Sequence, residues 1–199
     1  MQYTRLGRLG LQVSRLCLGT VNFRMHTSEE AAFPVFSQAL EHGINFIDTA
    51  DIYNGGLTET TLGNWFAEDR TRRNHIVLAT KVYGKTSEEP NDRGLSAYHI
   101  RRACEDSLRR LQTDHIDLYQ MHHVDRHTPW GEIWQAMEQL VREGKILYVG
   151  SSNFAAWDIA TAQSMAARRH FLGLVSEQST YSLCRRTIEL EALPCCRAL

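Results

Sequence analysis

The stretch IDLYQMHHVDRHTPWGEIWQAMEQLVREGKILYVGS, residues 116–151, contains one complete structural unit. Its opening run, Ile116–His122, is short and largely apolar, the pattern of a strand buried on both faces. In Trp130–Glu143 the residues Ile133, Trp134, Met137, Leu140 and Val141 recur at helical spacing, and Gly144 supplies a stop. A second apolar run, Ile146–Ser151, follows at once. Strand, helix and strand in that order predict a parallel βαβ unit.

The rhythm extends in both directions. Further strand candidates at Leu16–Gly19, Asn45–Asp48, Ile76–Lys81 and Leu174–Gln178 bring the count to six. Glu29–His42 reads as a helix opened by Ser28, with two acids in its first turn and Gly43 behind it. Ala97–Leu111, capped by Ser96, carries Ile100, Ala103, Cys104, Ser107, Leu108 and Leu111 on one stripe. Arg186–Leu199 reads as a last helix. Ahead of all of these, Gln2–Arg5 and Gln12–Arg15 alternate polar and apolar residues around Gly7 and Gly10, which predicts a small β-hairpin. Repeated βα units suit either a doubly wound sheet or a (β/α)₈ barrel, and a closed barrel needs eight of them.

Composition narrows the function. With 199 residues the chain is expected to be a single domain over residues 1–199, or part of a larger one. Lys and Arg number 22 against 23 Asp and Glu, so there is no electrostatic footprint for nucleic acid or an anionic membrane. No uninterrupted apolar stretch approaches the ~18–20 residues of a membrane span, and the alternating N-terminus is not read as a secretory leader. Cys17, Cys104, Cys184, Cys195 and Cys196 are odd in number and lack a C-x-x-C pair, so neither a disulfide framework nor a zinc module is expected. The expected compartment is the reducing cytoplasm.

In such an architecture reactive groups belong at the C-terminal ends of strands. There the sequence places Asp48, then Tyr53 just beyond it, then Lys81 and His122. The set has a specific chemistry. A phenol with the ordinary pKa of ~10 donates a proton poorly near neutrality. An ammonium beside it favours the phenolate, and a carboxylate keeps that ammonium charged and fixed. A histidine opposite could orient a carbonyl. Such a site suits hydride addition to a carbonyl, with a proton delivered to the oxygen.

Those residues lie in motifs that resemble the aldo-keto reductases. The matching pieces are L-C-L-G-T at Leu16–Thr20, F-I-D-T-A-D-I-Y at Phe46–Tyr53, L-A-T-K at Leu78–Lys81, D-L-Y-Q-M-H at Asp117–His122, G-S-S-N-F at Gly150–Phe154 and E-Q-S-T-Y at Glu177–Tyr181. The resemblance implies a (β/α)₈ barrel with an N-terminal hairpin, of which about six βα units are present here. It implies a nicotinamide cofactor, NADPH by family habit, and an aldehyde or ketone as substrate. Asp48, Tyr53, Lys81 and His122 match the catalytic tetrad, with Tyr53 as general acid. Ser152, Asn153 and Gln178 match the residues that hold the nicotinamide carboxamide, and Gly19, Thr20 and Asp48 lie beside the cofactor. Tyr181 and Trp130 are candidates for the substrate mouth, Trp130 equally for the core.

Other readings stand beside this one. Singly, Lys81 could be a solvated strand-end lysine, and Asp48 a loop cap. His122, His123, Asp125 and His127 have metal-ligand chemistry, but adjacent strand residues point apart, so no metal is expected. A Schiff base at Lys81 would keep the fold and change the reaction. The strands that carry much of the family's cofactor contact, the seventh and eighth, have no counterpart here. The expectation is therefore a fragment or truncation of a longer reductase. The alternatives are a chain that self-associates through its open sheet edge, and an inactive binding or regulatory protein. Channel-associated β subunits of the same fold typically carry asparagine where this chain has His122.

Overall fold

Strands pair in chain order throughout the computed structural model, which describes residues 1–199. A hairpin of β1 (Tyr3–Arg5) and β2 (Gln12–Ser14) comes first. β3 (Leu18–Gly19), β4 (Phe46–Asp48), β5 (Val77–Val82), β6 (Ile116–Met121), β7 (Ile146–Ser152) and β8 (Leu174–Gln178) then form one six-stranded parallel sheet. Helices α1 (Glu29–Glu41), α2 (Leu57–Glu68), α3 (Ala97–Leu111), α4 (Trp130–Arg142) and α5 (Ala156–Arg168) follow β3 to β7 in turn, and α6 (Ala192–Ala198) comes last. The sheet curls as part of a (β/α)₈ barrel. No helix is long and apolar enough to cross a membrane.

The expected boundaries hold to within a residue or two, for local reasons. Ser28 accepts from the Ala31 amide and Ser96 from the His99 amide, so both helices start where a side chain can satisfy a free N–H. Gly43 and Gly144 follow their helices at φ +81° and +71°, the left-handed geometry that ends a helix. The continuous helix expected over Arg186–Leu199 is instead a 3₁₀ turn at Thr187–Glu189 and then α6. Pro194 explains the break. In a continuous helix its ring would meet the Leu190 carbonyl, whereas near the start of α6 its missing N–H costs nothing.

The main core lies between the sheet and its helices, around Phe36, Trp65, Leu78, Ile100, Tyr119, Trp134 and Leu140. A smaller cluster, Leu9, Ala79, Leu118 and Val175, sits on the sheet's other face, where the hairpin turn plugs it from below. The first residue of the D-L-Y-Q-M-H motif is structural: Asp117 accepts from the Leu78 amide and from Arg73, both at 2.8 Å.

Helices α2 and α3 meet without a side chain between them. A Cβ built on Gly63 would stand 2.8 Å from the Leu111 carbonyl carbon and closer still to the Arg110 carbonyl oxygen. Backbone cannot yield as a side chain can. Gly63→Ala is therefore expected to cost about 3 kcal/mol, the upper part of the usual overpacking range. Urea denaturation measures it, and a variant within about 0.5 kcal/mol of the parent would mean that the two helices slide apart freely.

Candidate active site

Register decides which side chains meet. Gly19 pairs with Asp48, Asp48 with Ala79, and Lys81 with Gln120, so the ends of β3 to β6 rise in steps around one rim. Along β6 the period of two puts Leu118 and Gln120 on one face. Leu118 joins the cluster beneath, and Gln120 stands beside Lys81 above it.

Lys81 is almost wholly buried, and Asp48 is 7% exposed. The ammonium donates to both Asp48 carboxylate oxygens, at 2.8 and 2.6 Å, and to the Thr49 carbonyl at 2.8 Å. It also lies 3.3 Å from the Tyr53 hydroxyl and 5.1 Å from the centre of that ring. Asp48 further accepts from the side-chain amides of Gln120 at 3.0 Å and Gln178 at 3.3 Å. The Thr20 hydroxyl donates to the Asp48 carbonyl at 2.9 Å, so Thr20 supports Asp48.

Tyr53 reaches this position through an unusual turn. Asn54, Gly55 and Gly56 have φ of +49°, +64° and +88°, three left-handed residues in succession, which N-G-G can adopt at low cost. Asn54 then ties the turn down by donating to the Phe23 carbonyl at 2.8 Å.

His122 completes the rim. Its ring centre is 6.0 Å from that of Tyr53, and its Nδ1 is buried without a partner. Burial, then the charges of Lys81 and His123, depress its pKa to about 4 against a smaller pull from Asp48. At neutral pH the imidazole is uncharged and carries one N–H, suited to hydrogen-bonding a carbonyl and not to supplying its proton. The expected divergence of His122 and His123 does not occur. β6 ends at Met121, so strand alternation has lapsed, and the two rings lie 5.8 Å apart and nearly parallel. No three His, Cys, Asp or Glu side chains converge as metal ligands.

On the next two strands Ser152 and Gln178 are register partners. Asn153, at φ +59°, is exposed, donates to the Ser152 hydroxyl at 2.9 Å, and has its amide on the Gln178 carbonyl. Ser151 is committed elsewhere, to Glu177 at 2.6 Å. The space beside the Gly19 Cα is open. Trp130 packs on Trp134 and Phe154, within reach of the core, and Tyr181 is exposed on Glu189. A groove of about 660 Å³ between β8, α5 and α6 contains none of the four rim residues.

A profile of the aldo/keto reductase family matches residues 15–199. The chain is 58% identical to an uncharacterized oxidoreductase, YrpG, of Bacillus subtilis (strain 168), over all of this chain and 64% of that protein. It is 34% identical to the versiconal hemiacetal acetate reductase of Aspergillus parasiticus, over 98% of this chain and 64% of that one. A probable voltage-gated potassium channel subunit beta of Arabidopsis thaliana is 36% identical, over 98% of this chain and 60% of its own length. The chain thus spans a little under two thirds of the relatives it matches.

Proposed function

The chain belongs to the aldo/keto reductase family, and on that premise we propose that it reduces an aldehyde or ketone to the alcohol with NADPH, Tyr53 acting as general acid. The observation that carries this reading is the single ammonium of Lys81, bound to both oxygens of Asp48 and to the Tyr53 hydroxyl. As the phenol gives up its proton to a carbonyl oxygen, the Lys81 charge stabilises the phenolate left behind. Asp48 keeps that charge in place, with Gln120 holding Asp48. The neutral imidazole of His122 hydrogen-bonds the carbonyl oxygen and orients it toward Tyr53. In the reverse direction Tyr53 is the base.

The residues present suit a nicotinamide. Ser152, Asn153 and Gln178 offer one hydroxyl and two amides on a common rim, a match for a carboxamide that both donates and accepts. A Cβ added at Gly19 would meet no atom within 4 Å, so the rim is open at that point next to Thr20 and Asp48. When bound, the reduced cofactor supplies the hydride. The same reading has the protein working in the cytoplasm on a small-molecule carbonyl, with the unpaired edges of the sheet open to self-association.

The channel-subunit relative favours a second reading, that of a non-catalytic binding or regulatory protein. The complete tetrad, His122 included, favours the reductase. To test it, the 199-residue chain is titrated with NADPH by fluorescence, and loss of reduced-nicotinamide absorbance is followed after adding a reactive aldehyde. Saturable binding followed by consumption is expected. A chain folded by circular dichroism that binds no NADPH would overturn the proposal for this form.

A further inference from the structure

Thr80 precedes Lys81 on β5 and points the opposite way, into a second polar group that the reduction does not use. There Glu59 of α2 is fully buried; it accepts from the Thr80 hydroxyl at 2.6 Å and from Arg110 Nε at 2.7 Å. Both its oxygens are occupied. Asp51, in the turn that leads from β4 to Tyr53, is only 2% exposed, and neither carboxyl oxygen has a partner. The Thr49 hydroxyl, two residues earlier, is also buried and unpartnered.

The charged and titratable groups facing Asp51 come from four elements: Glu59 on α2, Arg110 on α3, Lys81 on β5 and Tyr119 on β6. Glu59 repels a second negative charge. Arg110 and Lys81 could attract one, but each is already bound to another carboxylate. An ionised carboxylate without hydrogen bonds is unfavourable in such a place.

Resting on the assignment of Tyr53 and Lys81 as the acid pair, we propose that Asp51 is a positioning residue, held as an uncharged carboxylic acid, that fixes the Thr49–Tyr53 turn against Lys81. The turn grips that lysine at three points. The Asp51 amide donates to the Lys81 carbonyl at 3.2 Å, while Lys81 Nζ donates to the Thr49 carbonyl at 2.8 Å and to the Tyr53 hydroxyl at 3.3 Å. The Asp51 side chain makes no hydrogen bond, so it can hold the middle of this grip only through its burial in the layer beneath. A charge there would be pushed from Glu59 and would carry the turn with it. The electrostatics agree: burial holds the Asp51 carboxyl well above the usual range and Glu59 adds to this, against smaller opposing pulls of which Arg110's is the largest.

Asp51→Asn mimics the neutral acid and does not ionise. In the parent, the unfolded chain loses the Asp51 proton above about pH 4 while the folded chain keeps it. Stability is therefore fullest at low pH and is lost as pH rises toward the folded value. Relative to Asp51→Asn, the parent's folding equilibrium should fall about tenfold per pH unit across that window. Infrared spectra at pH 7 should contain a protonated-carboxyl band that Asp51→Asn removes. The ring vibration of Tyr53, identified by its loss in Tyr53→Phe, should be unchanged in Asp51→Asn and shifted in Asp51→Ala.

A pH-independent stability difference and no lost infrared band would mean that Asp51 is ionised, which overturns the proposal. An unshifted Tyr53 signal in a folded Asp51→Ala would reduce the residue to a space-filler and overturn it equally. If Asp51→Ala does not fold, the pH dependence and the infrared band of the Asn variant decide. None of these measurements uses cofactor or turnover, so the proposal can fail while the reductase assignment stands, and the reverse.

Discussion

Tyr53→Phe is expected to lower NADPH-dependent reduction by roughly 10²–10⁴-fold, the usual contribution of a positioned acid. The substitution removes one hydroxyl and leaves the ring beside His122 and beneath the Lys81 ammonium, so the local packing persists. Lys81 loses only the longest of its four hydrogen bonds, the one at 3.3 Å. Cofactor affinity and thermal melting should therefore match the parent. Steady-state rates and a fluorescence titration on the same preparation separate the two effects. A variant that reduces the aldehyde at the parent's rate would remove Tyr53 from its role and leave the acid to be found elsewhere.

The largest expected loss of stability comes from Lys81→Met. This ammonium is the charge that balances Asp48, which is itself almost fully buried. Without it the carboxylate retains only two amide donors, Gln120 at 3.0 Å and Gln178 at 3.3 Å, and the Thr49 carbonyl loses its partner. Removing one member of a buried pair costs about 3–5 kcal/mol, because the remaining charge stays desolvated and unpaired. Urea denaturation of Lys81→Met and of Lys81→Met/Asp48→Asn distinguishes this from lost packing. The double variant, with no stranded charge, should recover most of the loss. Equal destabilisation of the two would show that the methylene stem of Lys81, not its charge, holds the strand ends together.

Much of this was legible in the residues. Apolar runs place all six strands of the parallel sheet, because burying a strand on both faces leaves a mark in composition, and helical stripes place α1, α3 and α4 but not α2 or α5. Asp48, Tyr53, Lys81 and His122 all fall at strand ends that the pattern locates. Gln120 was missed, although its signal was available: alternation along D-L-Y-Q-M-H sets it on the same face as Leu118, one step below the rim. The same rule misled at His122 and His123, where it was applied beyond the last residue of the strand. The pattern of Arg186–Leu199 predicts one helix only if Pro194 is disregarded. Asp51 and Glu59 were passed over for a different reason. A buried carboxyl on the helix side of a sheet looks like any surface acid until the packing around it is known.

Sheet order that follows chain order has a consequence for how the molecule is made. Each strand finds its partner one unit back along the chain, so pairing can advance from β3 to β8 as the polypeptide is synthesised, without waiting for distant segments. The hairpin is the exception. Arg8 donates to the Leu172 carbonyl at 2.9 Å, and Gly7 lies so close to the Val175 carbonyl that no side chain fits between them. The hairpin thus bridges early and late strands: Ser14 and Gln12 bond Asn45 just ahead of β4, whereas its contacts beside β8 can form only once that sixth sheet strand is in place.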